Sequence, residues 1–132
     1  MRSFHLQVVT PDGPVFDGQA TSISVRADDG DVQILAGHVD YMASVGTGAA
    51  KIETESGARV AACSGGFITV AGGEVRLVAT TFEFKEDIDH DRAVVAMENA
   101  RMMIRKAKDN RALELAEAKL RRALNRINVA KN

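Results

Sequence analysis

Where the glycines stop constrains this chain most. Up to residue 84 the sequence is broken at short intervals by Pro11-Asp12-Gly13, Asp17-Gly18, Asp28-Asp29-Gly30, Ser56-Gly57, Ser64-Gly65-Gly66 and Gly72-Gly73. Such pairs supply the positive-φ positions that tight turns need. After the charged segment Lys85-Glu86-Asp87 no glycine or proline occurs again. The two parts must therefore fold by different rules.

In the first part Phe4, Leu6 and Val8 alternate with His5 and Gln7, the two-residue period of a half-buried strand. Strand-like runs follow at 21–25, 32–35, 50–55, 59–63, 67–70 and 75–80. Short strands separated by turn signals predict an all-β sandwich or barrel, with eight to ten strands once ambiguous runs are counted. In the second part Ala93, Met97, Ala100, Ile104 and Ala107 recur at helical spacing, as do Leu113, Ala116, Leu120, Leu124 and Ile127. Asp89 or Asp91 is placed to cap the first helix, and Asp109 or Asn110 the second. Helices joined by so few residues lie antiparallel. The expectation is a mainly β N-terminal sandwich over 1–84 followed by an antiparallel two-helix α-hairpin over 85–132, with helices at about 90–107 and 111–129. Mostly alanine on its inner face, the hairpin buries little apolar area, and its methionines repack readily.

Charge divides along the same line. Residues 1–88 hold 6 Lys/Arg and 12 Asp/Glu, a net of −6, whereas residues 89–132 hold 11 and 6, a net of +5. Halves of opposite sign attract each other or take different partners. A solvated basic helix is the plainer account of the tail. No apolar run is long enough to form a membrane-spanning helix, and the N-terminus runs straight into a strand pattern, so no signal peptide is expected. Cys63 is the only cysteine, which excludes an internal disulfide and fits a reducing compartment.

Catalytic patterns are sparse. Ser64-Gly65-Gly66 with His38 upstream has the look of a nucleophile beside an oxyanion loop, but Ala62 stands where a nucleophile turn carries glycine, and a turn between strands explains the motif. His5, His38 and His90 lack metal-ligand spacing, and no phosphate-binding glycine loop is present. Nucleic-acid binding is disfavoured by one Tyr, no Trp and an acidic body. Two features remain, Asp89-His90-Asp91-Arg92-Ala93 at the start of helix one and Arg122 with Arg126 on helix two, joined by Lys119 three residues before Arg122. Guanidiniums one helical turn apart grip phosphate or carboxylate oxygens. The plainer account has Asp89 as a cap, Arg92 as its partner, and Arg122 and Arg126 in solvent.

The order of short motifs resembles the epsilon subunits of rotary F-type ATP synthases. Val8-Val9-Thr10-Pro11, Val15-Phe16-Asp17-Gly18-Gln19-Ala20, Gly30-Asp31-Val32-Gln33-Ile34-Leu35, Gly37-His38, Ser64-Gly65-Gly66-Phe67 and Val75-Arg76-Leu77-Val78-Ala79 carry it. The chain departs from that pattern at Gln33 (usually Gly), Ala36 (usually Pro) and the stretch Val39-Asp40-Tyr41-Met42-Ala43. The resemblance implies a non-catalytic rotor subunit of a proton-transporting synthase, peripheral at the cytoplasmic face of the membrane. Its sandwich would join the gamma subunit to the c-ring, with Asp31 and His38 in the rotor contact. Its hairpin would be a regulatory arm, permissive when folded and inhibitory when extended toward the catalytic alpha and beta subunits, whose acidic segments Lys119, Arg121, Arg122 and Arg126 would meet. No cofactor is required. ATP is implied as a regulatory ligand, since some bacterial members bind it through a similar motif, matched here by Asp89, Arg92, Ala93, Arg122 and Arg126, with Glu83 as a further contact. Those members carry another arginine on helix one, where this chain has Asn99 on the Arg92 face. A free-standing nucleotide-sensing adaptor is the alternative.

Overall fold

A computed structural model of the chain describes residues 2–131; the outermost residue at each end of the two expected domains, 1 and 132, lies outside them. Ten strands come first among the described residues: β1 Phe4–Thr10, β2 Gly13–Ala20, β3 Ser22–Ala27, β4 Gly30–Leu35, β5 Tyr41–Ser44, β6 Gly48–Thr54, β7 Gly57–Ser64, β8 Phe67–Ala71, β9 Glu74–Val78 and β10 Thr81–Phe84. A 3-10 turn at Lys85–Asp87 precedes helices α1, His90–Lys106, and α2, Asn110–Lys131. The fold class is the one the sequence implied, a sandwich of two five-stranded sheets and then a helical pair. The chain divides into two units, residues 1–84 and 85–132.

One sheet has the order β2-β1-β9-β8-β5 and the other β10-β7-β6-β3-β4. All neighbouring pairs are antiparallel except β1 with β9. Alternation does the sorting: Phe4, Leu6 and Val8 of β1, Ile68 and Val70 of β8, and Val75 and Leu77 of β9 point inward, while Ile23, Ile34, Ile52, Phe82 and Phe84 come from the other sheet. Leu6, Ile23, Ile34, Ile52, Ile68 and Leu77 are sealed from solvent, each worth about 1.5–3 kcal/mol of burial.

Three strands escaped the sequence reading, β2, β5 and β10. Two glycines and Pro14 obscure β2, which is half-exposed along most of its length. With only four residues, β5 pairs along one edge, with β8. The expected 75–80 run is split, because Ala79 and Thr80 carry the chain from one sheet to the other; Ala79 N–H donates to Val9 C=O at 2.9 Å. Gly66 sits at another such crossing with φ of +96°, where a Cβ would lie 1.8 Å from the Val78 carbonyl oxygen. Close backbone approach therefore accounts for this glycine, as a turn between strands requires.

The hairpin is built from polar caps and small residues. Asp89, in extended conformation, accepts from Arg92 N–H at 3.1 Å and caps α1; Asp109 accepts from Ala112 N–H at 2.8 Å and caps α2. Arg105 and Lys106 sit in the last turn of α1, where they oppose the helix dipole. Ala93 and Ala100 are the buried residues of α1, and Ala116, Ala123, Ile127 and Val129 those of α2. The expected stripe is corrected at one point, since Leu124 is 36% exposed and Ala123 takes its place. Small side chains let the two backbones approach, and the larger leucine fits better at the rim.

Candidate functional site

The connection between the helices, residues 107–109, centres the hairpin on Lys108. Ala93 and Ala123 stand equally far from that residue, as do Ala100 and Ala116, so an antiparallel pair sets each alanine level with its counterpart. Arg92 precedes Ala93, and in this register it lies level with the turn of α2 between Arg122 and Arg126. At about 100° per residue, Arg92 and Asn99 project to one side of the Ala93–Ala100 line. Lys119, Arg122 and Arg126 project to the corresponding side of the Ala116–Ala123 line. When two helices run antiparallel these are the same side of the hairpin. The fold thus brings three guanidiniums and the Asp89 cap to one end and one face. Arg92 is exposed, and Arg122 and Arg126 are half-buried.

Chemically, this arrangement has the donors an anion needs. Arginines keep their charge at any ordinary pH and donate in a planar fork that matches phosphate oxygens. The Asp89 carboxylate is used locally, since it accepts from Arg92 N–H and so fixes the start of the helix from which the Arg92 side chain projects. Ala93, buried beside Arg92, is a seam residue. Asn99 continues the Arg92 face without adding charge.

The other candidate residues belong to the sandwich unit. Glu83 lies on β10 in register with Ala62 of β7, on the opposite face from the core residues Phe82 and Phe84. Asp31, the second residue of β4, makes a long ion pair with Arg26 at 3.8 Å; both are well exposed, so the pair contributes little. His38 lies beyond the far end of β4. Its Nδ1 is 2.7 Å from the Val39 carbonyl, which only accepts, so this nitrogen carries the proton and donates. The ring meets Tyr41 edge-on at 5.6 Å. Asp31 and His38 are thus held at opposite ends of one strand rather than in one cluster. What the sequence reading missed is the apolar company of His38: Leu35, Val39 and Met42 are 50%, 74% and 69% exposed. For Leu35 the signal was available, since it stands out of phase with the buried Ile34 on β4. Exposed apolar residues of this size are candidates for a partner contact.

The serine motif is structural. Ser64 is buried, its Oγ is 3.0 Å from Thr47 Oγ1, and a hydroxyl is no base. Burial pushes the Cys63 thiol up to about 12, so it stays protonated.

Comparison with known proteins follows the same division. Residues 3–85 match the family described as ATP synthase, Delta/Epsilon chain, beta-sandwich domain, and residues 86–131 the one described as ATP synthase, Delta/Epsilon chain, long alpha-helix domain. The ATP synthase epsilon chain of Bacillus velezensis is 39% identical over 132 residues, covering 100% of both chains. That of Bacillus subtilis is 38% identical over 98% of each. In fold the chain is similar to one in the Euglena gracilis mitochondrial ATP synthase (OSCP/F1/c-ring), with a TM-score of 0.82 and 24% identity over 98% of this chain and 82% of that one. The Tetrahymena thermophila mitochondrial ATP synthase central stalk and c-ring structure gives a TM-score of 0.66 at 12% identity, over 98% of this chain and 97% of that one. With both domains matched in order and relatives matched end to end, the chain belongs to the ATP synthase delta/epsilon chain family and is a non-catalytic subunit of that complex.

Proposed function

We propose that this chain is the epsilon subunit of the central stalk in a proton-transporting F-type ATP synthase, peripheral at the cytoplasmic face of the membrane, and that its hairpin regulates hydrolysis in response to ATP. The observation that carries the subunit assignment is the match to epsilon chains along the entire length, hairpin included. The sandwich joins gamma to the c-ring. His38, with exposed Leu35, Val39 and Met42 beside it, supplies an apolar rotor contact, and Asp31 a separate acidic one.

For the hairpin, the supporting observation is the common face of Arg92, Arg122 and Arg126. These three take the phosphates of ATP, and Asp89 and Ala93 hold Arg92 in place. Because Arg92 comes from α1 and the other two from α2, ATP bridges both helices and stabilises the folded arm by its preference for that state. Without ATP the arm extends, and Lys119, Arg121, Arg122 and Arg126 meet acidic segments of the catalytic alpha and beta subunits. The alanine seam makes the exchange accessible, since each buried methyl contributes only about 0.8 kcal/mol.

Affinity purification of the tagged chain from its own cells tests the assignment. Gamma and c subunits are expected in stoichiometric amounts. A monomer that carries neither points instead to a free-standing nucleotide-sensing adaptor. In the purified complex, deleting residues 88–132 is expected to raise ATP hydrolysis at low ATP; unchanged hydrolysis contradicts the regulatory role.

A further inference from the structure

All the helical carboxylates of the hairpin lie on one side. At about 100° per residue, Asp91 and Glu98 of α1 and Glu114 and Glu117 of α2 fall on the side of the alanine seam that also carries Arg101, Arg105 and Arg121. The other side carries cations and no carboxylate from within either helix; its acidic groups are the two caps, Asp89 at the open end and Asp109 in the connection, each accepting from a backbone N–H of the helix it starts. Arg92, Arg122 and Arg126 occupy its open end, as described above. Its remaining cations lie toward the closed end: Lys106 from α1, Lys108 from the connection, and Arg111 and Lys119 from α2, all exposed. Between them stand Met103 and Leu115, which are 40% and 55% exposed on this same side.

We infer that this closed end is a docking surface for an anionic phospholipid bilayer, with Lys106, Lys108, Arg111 and Lys119 around the apolar tips of Met103 and Leu115. A small anion is bound by converging donors, whereas these four are spread out, Arg111 and Lys119 alone standing about 12 Å apart along α2. Nucleic acid fits poorly, because no Phe, Tyr or Trp occurs after residue 84 to stack on bases. The surface is a convex ridge in which long basic side chains flank two apolar ones. That is the composition of a segment lying in a headgroup layer, where apolar tips enter the acyl boundary while the cations reach back to phosphates. Charge complementarity comes from the negative surface of an anionic leaflet, which attracts each nearby Lys or Arg. The inference does not depend on ATP binding, which uses the other end of the hairpin.

Sedimentation of the full chain with vesicles tests it. Binding is expected to phosphatidylcholine vesicles containing one-third phosphatidylglycerol at low salt, with none to phosphatidylcholine alone. K106Q/K108Q/R111Q is expected to weaken it about a hundredfold, and M103S/L115S roughly tenfold. All five positions are exposed, and unchanged helical ellipticity will show that the variants fold. Retention of ATP-induced amide shifts by the triple variant separates this surface from the nucleotide site. Failure to sediment with the anionic vesicles overturns the inference. So does binding that is insensitive to M103S/L115S and matched by soluble polyglutamate, which would assign the surface to an acidic polypeptide.

Discussion

The sandwich and the hairpin bury their residues by opposite means. In the sandwich, isoleucine and leucine from both sheets interlock: Ile23, Ile34, Ile52, Ile68, Leu6 and Leu77 are all closed to solvent. In the hairpin the closed positions are alanines spaced seven apart, with larger groups only at Ile127 and Val129. Removing a large side chain leaves a void that rigid surroundings fill poorly, whereas an alanine seam has little to lose and little room to gain. The proposed function calls for this contrast, with a body that keeps one shape and an arm that exchanges between two states.

Four substitutions or conditions probe it, from the largest effect to the smallest. Leu77→Ala in the sandwich is expected to lower stability by about 2–5 kcal/mol in denaturant unfolding. Ala100→Leu is expected to overpack the seam and destabilise the hairpin by about 1–3 kcal/mol, read from helical ellipticity on heating; a neutral result means the helices are not in close approach there. Asp89→Ala removes the cap of α1 and is expected to cost about 1 kcal/mol, seen as faster amide exchange at Arg92 and Ala93.

The smallest effect is a dependence on pH in the sandwich. His5 Nε2 lies 2.6 Å from Asp17 and its Nδ1 2.9 Å from Glu74, so one ring on β1 ties β2 to β9. The hydrogen bonds to Asp17 and then Glu74 raise His5 above its ordinary 6.5, and the bond to His5 holds Asp17 below its ordinary 3.8. The His5 contribution is therefore complete below 6.5 and is lost as pH rises through the raised value. That of Asp17 is present above 3.8 and lost as pH falls through the lowered one. Melting temperature is expected to fall slightly between pH 6 and 8 and to lose this slope in His5→Gln.

Legibility followed the same contrast. Strands with strict alternation, such as β1, were plain from Phe4, Leu6 and Val8, and both caps lay among the Asp and Asn residues singled out from spacing. Strand β5 was not visible, because it is four residues long and, though its burial alternates, the outward Met42 is as apolar as its neighbours. In the hairpin, Leu124 was read as buried because leucine is the stronger apolar signal; Ala123, one position earlier, is closed instead because the helices approach closely. The arginines of the candidate site were legible as residues, and Arg122 and Arg126 as one face of α2. Only the register about Lys108 sets Arg92 level with Arg122 and Arg126. Strand length likewise separated Asp31 from His38, which a shared functional expectation had grouped.

The central claim is that Arg92 and the two arginines of α2 form one ATP site on the folded arm. Titrating the isotopically labelled chain with ATP to millimolar concentration, while following backbone amides, tests it most directly. Saturable shifts are expected at Asp89, Arg92 and Arg122, and Arg122→Ala is expected to abolish them. Amides at those three positions that stay in place at saturating ATP, or shifts that survive Arg122→Ala, would contradict the account.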